Sequence, residues 1–423
     1  MRITVIADGT RGDVQPLAAV AQRLDAAGHR VRFAAHASFE FLVEGTGIQF
    51  YARHVNDPRD DQRGYINARP LNPLRKIGHI RRVAHDYGDK ADLIRACESA
   101  DFIFFSHMSW PAAHVAEHFG VPCAAAYVFP HFRSSEFPRA FGPMFFQRRR
   151  LGSVWNRLTH AFMDRVTQSA DMRWLNEWRK NDLGLPSIQL RPEEWAEERR
   201  IPRLYGFSPV FQHKPHDWPE WHHITGYWFW NAPNVWQPPQ DLSDFLSAGG
   251  PSVFISFSSS IVEDDHFWSE VVIPAVREAG CRAIIGSAWS ALHINRAEDL
   301  FIIDSCPLDW LFSKVSAIIH AAGASTVAEV MRSGKPSVSI PMFGEQRFCA
   351  ARLEKLGVSP PPLSMNGLSR AKLAHALKQA LRNDRLRIHA DRMGETVRAE
   401  NGAARAAELI EQIARQYAGT LIA

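Results

Sequence analysis

The apolar run Val315-Ser-Ala-Ile-Ile319 and the small-residue stretch His320-Ala-Ala-Gly-Ala-Ser-Thr326 behind it constrain the fold of this chain most. The run reads as a buried strand. Val327-Ala-Glu-Val-Met-Arg-Ser-Gly334-Lys-Pro336 reads as a helix ended by Gly and Pro. A strand that passes through a small-residue turn into a helix aims backbone N–H groups at one point, and an anion such as a phosphate is favoured there. Ser337-Val-Ser-Ile340 is a further strand, leading into Pro341-Met-Phe-Gly-Glu-Gln346. The helix start and the Glu-Gln pair lie about twenty residues apart, at the carboxyl ends of neighbouring parallel strands.

The same alternation runs along both halves. In the first, 2–7 is a strand, 14–28 a helix and Val31–Ala35 a strand; 101–106 is a strand, 110–119 a helix closed by Gly120-Val-Pro122, and Cys123–Tyr127 a strand. In the second, Ser252–Phe257, a helix near 265–279, Arg282–Ile285 and Leu300–Ile303 precede the opening motif. The pattern predicts an α/β protein of two Rossmann-like, doubly wound parallel-sheet domains facing a cleft. Expected boundaries are 1–227 for the first domain, 228–241 for a Pro- and Trp-containing linker and 242–401 for the second domain. Residues 402–423 form a helix returning to the first. Residues 50–90 and 130–200 read as less regular insertions of loops and helices.

Bulk properties exclude several classes. The 423 residues, 46% hydrophobic and 22% charged, suit a globular protein with ordinary cores. A net charge of +4 is too small for nucleic acid to be the main partner. Five scattered cysteines with no C-x-x-C pair suggest reduced thiols, and with no signal peptide and no membrane-length apolar run they suggest a cytoplasmic protein. The clusters Arg75-Lys76, Arg81-Arg82 and Arg148-Arg149-Arg150 suit either solvated surface or contact with an anionic membrane. Thirteen Trp and 26 Phe suit a core, and a surplus can also line a pocket for a flat apolar ligand.

Six segments in order resemble the GT-B nucleotide-sugar glycosyltransferases, in the group that holds sterol 3-β-glucosyltransferases and antibiotic glycosyltransferases. They are Gly9-Thr-Arg-Gly-Asp-Val-Gln-Pro16, Thr225-Gly-Tyr-Trp-Phe229 with Trp236-Gln-Pro-Pro239, Ser256-Phe-Ser-Ser259, Pro307-Leu-Asp-Trp-Leu-Phe312, His320–Thr326 and Phe343-Gly-Glu-Gln346. The resemblance implies an inverting, metal-independent transfer of a hexose from a UDP- or dTDP-sugar to a hydroxyl of a lipophilic small molecule, with no further cofactor. It also leaves a non-catalytic nucleotide-sugar-binding partner of the same fold open. Where the family has a second histidine this chain has Ala321, and where it has paired glycines it has Ala322-Gly323.

The resemblance makes Asp13 the catalytic base, with Gly12 beside it; Asp13 equally suits a cap of the helix that follows. His320 can donate to a diphosphate oxygen or close a buried strand. Gly323, Ser325 and Thr326 form the anion turn, and the two hydroxyls can also cap a helix. Ser259 occupies a second strand-to-helix turn. Glu345 and Gln346 suit sugar hydroxyls or a solvent-facing helix start. Glu329 is a ribose candidate, and Trp310 flanks the base or belongs to the core. For the acceptor, the expected wall is His107, Trp110, Phe129, Phe132 and Phe137. No Asp-x-Asp occurs. His114-Val-Ala-Glu-His118 has zinc-ligand spacing, but no third ligand is evident, and the pattern reads as a surface pair on a packing helix.

Overall fold

The structure is a computed structural model that describes residues 1–57, 89–140, 152–168, 172–231, 236–257, 265–287, 297–342 and 344–422. The three basic clusters, Ser259 and Phe343 lie outside the described residues. The chain forms two compact units. The first holds Met1–Arg139, the described chain up to Trp230, and the chain from Asn401 on; the second holds Asn231–Glu400.

The first unit runs β1 (Arg2–Ala7), α1 (Arg11–Ala26), β2 (Arg30–His36), β3 (Gln49–Arg53), α2 (Lys90–Cys97), β4 (Phe102–Ser106), α3 (Ala112–Phe119), β5 (Cys123–Tyr127), α4 (Gly152–Gln168), α5 (Met172–Asn181), α6 (Pro192–Glu198), β6 (Arg203–Tyr205) and β7 (His222–Ile224). Its seven strands are ordered β3-β2-β1-β4-β5-β6-β7 and every pairing is parallel. Crossover helices cover both faces of such a sheet, so its strands read as continuous apolar runs: Ile3–Ala7 and Phe102–Ser106 are buried throughout.

The second unit runs α7 (Gln240–Ser247), β8 (Ser252–Ser256), a helical turn Asp265–Phe267, a π-turn Trp268–Val272, α8 (Ile273–Ala279), β9 (Arg282–Gly286), β10 (Leu300–Ile303), α9 (Leu308–Lys314), β11 (Ala317–His320), α10 (Ala324–Ser333), β12 (Ser337–Ser339), α11 (Gln346–Lys355), α12 (Arg370–Arg382) and α13 (Asp384–Arg398). Its five parallel strands are ordered β10-β9-β8-β11-β12. The last helix, α14 (Gly402–Ile422), belongs to the first unit. Its Ala403, Ala406, Ala407 and Ile410 share a core with Val14, Leu17, Ala18 and Ala21 of α1. Gly402 lies against the carbonyls of Gly226 and Tyr227, where a β-carbon would clash.

Several local differences from the sequence pattern have plain causes. Strands β6 and β7 are three residues each, too short for a period to register. The helix near 265–279 is interrupted by a turn in which Ile273 N–H reaches back to the Trp268 carbonyl, one residue beyond α-helical spacing, just before Pro274, which has no N–H to give. Strand β11 ends at His320 and α10 begins at Ala324, so the turn between them is only Ala321–Gly323.

Buried charge fixes the upper part of the first unit. Arg203 on β6 pairs with Glu193 and Glu197 of α6 at 2.7 and 2.8 Å. Arg179 of α5 reaches Glu117 of α3 at 2.6 Å, His114 Nδ1 at 2.8 Å and the Pro186 carbonyl at 2.9 Å. Desolvation lowers the imidazoles of His114 and His222 to about 4 and that of His160 to about 3. An unfolded histidine titrates near 6.5, so these sites favour folding fully above that pH. As pH falls below it, the unfolded chain takes up protons that the folded chain refuses. Thermal melts across pH 8 to 5 should therefore show a constant midpoint down to about pH 6.5 and a steady decline below it. The carboxylate of Glu117, lowered to about 2, contributes stability that is lost only at more acid pH. A midpoint unchanged at pH 5 would count against the buried neutral histidines.

Candidate functional site

In each sheet the strand order reverses at one place: between β1 and β4 in the first unit, and between β8 and β11 in the second. Ligands of open parallel sheets bind beyond the carboxyl ends of the strands at such points, because adjacent loops there diverge to opposite faces.

In the second unit the reversal falls at His320. This residue ends β11, level with Ser256 of β8 and Ser339 of β12. Its ring is fully buried. Ala322 then takes a left-handed conformation, φ 63°, which turns its N–H back onto His320 Nδ1 at 3.0 Å. Desolvation lowers the imidazole to about 3, so it is neutral. Because Nδ1 accepts, the ring proton sits on Nε2, which is buried and has no hydrogen-bond partner among the described residues. Gly323 is the N-cap of α10, offers no side chain to the first turn, and has open space where a β-carbon would project. Ser325 and Thr326, both half-buried, lie in that first turn.

The other donor candidates surround this turn in sequence, with differing environments. Glu329, one turn further along α10, is 9% exposed, and its Oε2 is buried without a close hydrogen-bond partner among the described residues. Arg332 Nη1 is 3.6 Å away. Burial pushes the carboxyl up to about 7, against the pull of Arg332. Glu345 is the half-buried N-cap of α11. Gln346 is buried, and its Oε1 accepts from Met342 N–H at 2.9 Å, which ties it to its own loop. Trp310, half-buried on α9, packs edge-on against Trp236, with ring centroids 5.0 Å apart.

In the first unit, Asp13 lies in the first turn of α1, beyond the carboxyl end of β1. Its Oδ2 accepts from Thr10 N–H and from Thr10 Oγ1, both at 3.0 Å. Its capping contacts thus use one oxygen. Gly9, at φ 119°, permits the close approach, since a β-carbon there would lie 2.7 Å from Asp13 Oδ2. Gly12 is half-buried beside it. His107 follows β4, the strand next to β1. Its ring stacks on Tyr127 at 5.6 Å and meets Phe129 at 5.3 Å and His131 at 5.9 Å. Desolvation lowers its imidazole, while the Asp13 carboxylate pulls the other way.

The remaining wall candidates belong to different surroundings. Phe132 is buried edge-on to His222 at 4.5 Å, under the Arg203 guanidinium at 4.8 Å. Phe137 is buried against His160 and Trp218. Trp110 is half-buried and touches His114 and Trp174 edge-on. The zinc-spaced histidines serve other partners: His114 Nδ1 accepts from Arg179, and His118 Nδ1 lies 2.7 Å from the Leu183 carbonyl. His114 is fully buried, not the surface residue that its helix pattern suggested.

Sequence reasoning passed over Asp8 and Tyr127, and took His131 only as part of the stretch Phe129–Phe132. Asp8, at the end of β1, accepts from Arg53 at 3.0 Å and Ser109 at 2.8 Å, and its Oδ1 is buried without a hydrogen-bond partner among the described residues. An acid between a strand and a glycine turn was the available signal. For the wall, it was the alternation Tyr127-x-Phe129-x-His131.

Residues 3–138 match the glycosyltransferase family 28 N-terminal domain, and residues 311–395 match the UDP-glucoronosyl and UDP-glucosyl transferase family. The whole chain is 33% identical over 439 residues to a sterol 3-beta-glucosyltransferase of Neosartorya fischeri and 33% identical to one of Aspergillus fumigatus. The chain holds matches to two glycosyltransferase families and has the GT-B fold of solved glycosyltransferases. It spans 30% of the length of these two curated relatives, and 100% of it is covered. Solved glycosyltransferases share the fold at low identity. That of kitacinnamycin gives a TM-score of 0.70 at 16% identity, covering 97% of this chain and 98% of that one. The calicheamicin enzyme gives 0.67 at 16%, covering 98% of each.

The buried Glu329 has a measurable consequence. A carboxyl that titrates at about 7 when folded and near its ordinary 4.5 when unfolded favours folding below pH 4.5 and loses that advantage as pH rises to 7. Glu329→Gln should therefore melt higher than the parent at pH 8, by an amount on the order of 1–3 kcal/mol, and equal it at pH 4. Parallel melts of the two proteins at both pH values check this.

Proposed function

We propose that this GT-B glycosyltransferase moves a hexose from a UDP- or dTDP-sugar to a hydroxyl of a lipophilic small molecule such as a sterol or a polyketide, with inversion and without a metal or other cofactor. One observation carries the proposal: a helix that starts from a bare glycine at the strand-order reversal, beside a buried neutral histidine whose Nε2–H has no partner among the described residues. A departing diphosphate supplies the charge this arrangement lacks.

In this reading the amino end of α10, with Ser325 and Thr326, and the Nε2–H of His320 receive the diphosphate; Ser259 is proposed to join them. The positive end of the helix then does what a cation does elsewhere. Glu329 accepts from the ribose, Trp310 flanks the base, and Glu345 with Gln346 takes the sugar hydroxyls. Asp13 accepts the acceptor's proton late in the transfer, as the hydroxyl oxygen bonds to the anomeric carbon. His107 and Phe129, with Gly12, Trp110, Phe132 and Phe137, form the acceptor side. Five unbridged cysteines favour work in the cytoplasm. The rival reading, nucleotide-sugar binding without transfer, rests on Ala321 standing where the family has a second histidine.

Two substitutions separate these readings. Asp13→Asn keeps an oxygen able to accept from Thr10 and so preserves the first turn of α1, but it removes the base. Donor affinity by calorimetry should hold while transfer falls about 10²–10⁴-fold. Unchanged turnover removes Asp13 from the mechanism, and absence of any turnover in the parent with lipophilic alcohols favours the binding-only reading. Glu345→Ala should weaken binding of the nucleotide sugar by about tenfold and leave the bare nucleoside diphosphate within about twofold. Equal losses for both ligands refute the sugar contact.

A further inference from the structure

Asp8 joins two loops that are far apart in sequence. It follows the last residue of β1, where the strand order of the first unit reverses. On one side the chain continues through Gly9 and Thr10 to Asp13 in the first turn of α1. On the other, β4 ends at Ser106 and passes into the helical turn His107–Ser109. The Asp8 side chain is 15% exposed, and its Oδ2 accepts from Ser109 Oγ at 2.8 Å and from Arg53 Nη1 at 3.0 Å. The same turn holds its backbone: Ser106 Oγ lies 3.3 Å from both the Asp8 nitrogen and the Asp8 carbonyl oxygen, and 2.9 Å from Ser109 Oγ. A carboxylate only accepts, so the Ser109 proton is committed to Asp8 and Ser109 Oγ accepts from Ser106. Both serines are buried.

A chain of charges anchors this clamp. Arg53 closes β3, is buried, and places Nε 3.5 Å from Asp92 of α2. Asp92 is fully buried and also accepts from the Tyr51 hydroxyl at 2.9 Å and the His54 N–H at 3.1 Å. Asp8 is therefore one end of a carboxylate–guanidinium–carboxylate chain that reaches from β1 past β2 to β3. A carboxylate taken out of water needs such pairing, and a buried ion pair adds little net stability over apolar packing. What the pairing adds here is one fixed geometry at the carboxyl end of β1.

We propose that Asp8 is a positioning residue: gripping Ser106 and Ser109 with its backbone and side chain, it holds the turn that carries Asp13 at a fixed place relative to the turn that carries His107. Thr10 extends the grip, because its N–H and hydroxyl both donate to Asp13 Oδ2. The Asp8 clamp and the Asp13 cap thus act in series. The purpose of the clamp rests on the reading of Asp13 as base and His107 as acceptor wall; Asp8 acts through both. The acceptor hydroxyl must lie within hydrogen-bond reach of the base, and a misplacement of about 1 Å can cost about 10²-fold in rate.

A double-substitution cycle read on the His107 ring tests the clamp without any sugar transfer. Ser109→Ala cuts the side-chain tie and leaves the charges of Asp8, Arg53 and Asp92 in place; Ser109→Thr restores the hydroxyl. The ring is titrated by NMR, its signal assigned with His107→Gln. Burial lowers this imidazole, the carboxylates of Asp13 and Glu193 oppose that, and Arg139 adds to it. Asp13→Asn should therefore lower it further. In the Ser109→Ala background that lowering should shrink to about half or less, and with Ser109→Thr it should return. For glucose transfer from UDP-glucose to detergent-dispersed cholesterol, Ser109→Ala should lose about 10–100-fold in kcat and keep UDP affinity within about twofold. Lost stability alone would reduce the amount of folded enzyme and leave the cycle unmoved. An Asp13 effect on His107 that is equal in both backgrounds overturns the proposal, whether or not transfer is seen. So does a parental kcat in a variant whose coupling has fallen. Where Ser109→Ala does not fold, Ser106→Ala, which cuts the backbone tie instead, carries the same expectations. A parent that transfers no sugar, but whose coupling falls in Ser109→Ala, supports the clamp and refutes the transfer reading, so the two failures are distinct.

Discussion

The hydrogen bond from Ala322 N–H to His320 Nδ1 organises the second unit's candidate site. It fixes which ring nitrogen holds the proton, and burial keeps the ring neutral. It therefore leaves a donor on Nε2 with no acceptor among the described residues. The same bond closes the turn in three residues, so the first helical amides of α10 follow directly from the strand end. A buried unmet donor costs on the order of 1–3 kcal/mol, and proteins retain such groups where a ligand supplies the partner. The histidine and the helix end thus make the same electrostatic demand by two routes.

The first unit meets a different requirement. Its sheet ends in two three-residue strands, which are too short to hold a sheet edge by backbone bonds alone. The buried Arg203, gripped by Glu193 and Glu197, ties β6 to α6. Arg179, with Glu117 and His114, ties α5 to α3. Such ion pairs add little net stability over apolar packing, but breaking one strands a charge and costs about 3–5 kcal/mol. They favour one arrangement of the helical insertion over its competitors. The segment that supplies Phe129, Phe132 and Phe137 lies beside that insertion.

Long, regular elements were legible in the sequence because burial imposes a period or an unbroken apolar run. Strand β4 and helix α1 are of that kind, and the parallel α/β class follows from their alternation. The family resemblance added the order of six motifs, which no periodicity supplies. What stayed hidden depends on contacts between distant residues. Nothing in His-Val-Ala-Glu-His tells that His114 is buried under Trp195 and takes a bond from Arg179, sixty-five positions away. Nor does Phe132 announce that it lies under Arg203 while Phe129 meets His107. At the candidate site, His320 and the turn were visible as a motif, but the tautomer that gives the ring its chemistry follows from a left-handed alanine.

That alanine is a cost the fold accepts. A residue with a β-carbon at φ 63° is disfavoured by about 1–2 kcal/mol relative to right-handed geometry, and glycine would avoid most of it. Three features hold it there. Ala322 is fully buried, its N–H is committed to His320, and the chain must reverse within three residues to start α10. A glycine would relieve the local cost but would also enlarge the set of conformations open to the unfolded chain and loosen the turn. The β-carbon therefore trades a little stability for a turn with one conformation. Since the turn sets both the direction of the helix and the protonated nitrogen of the histidine, its rigidity governs where the anion site points.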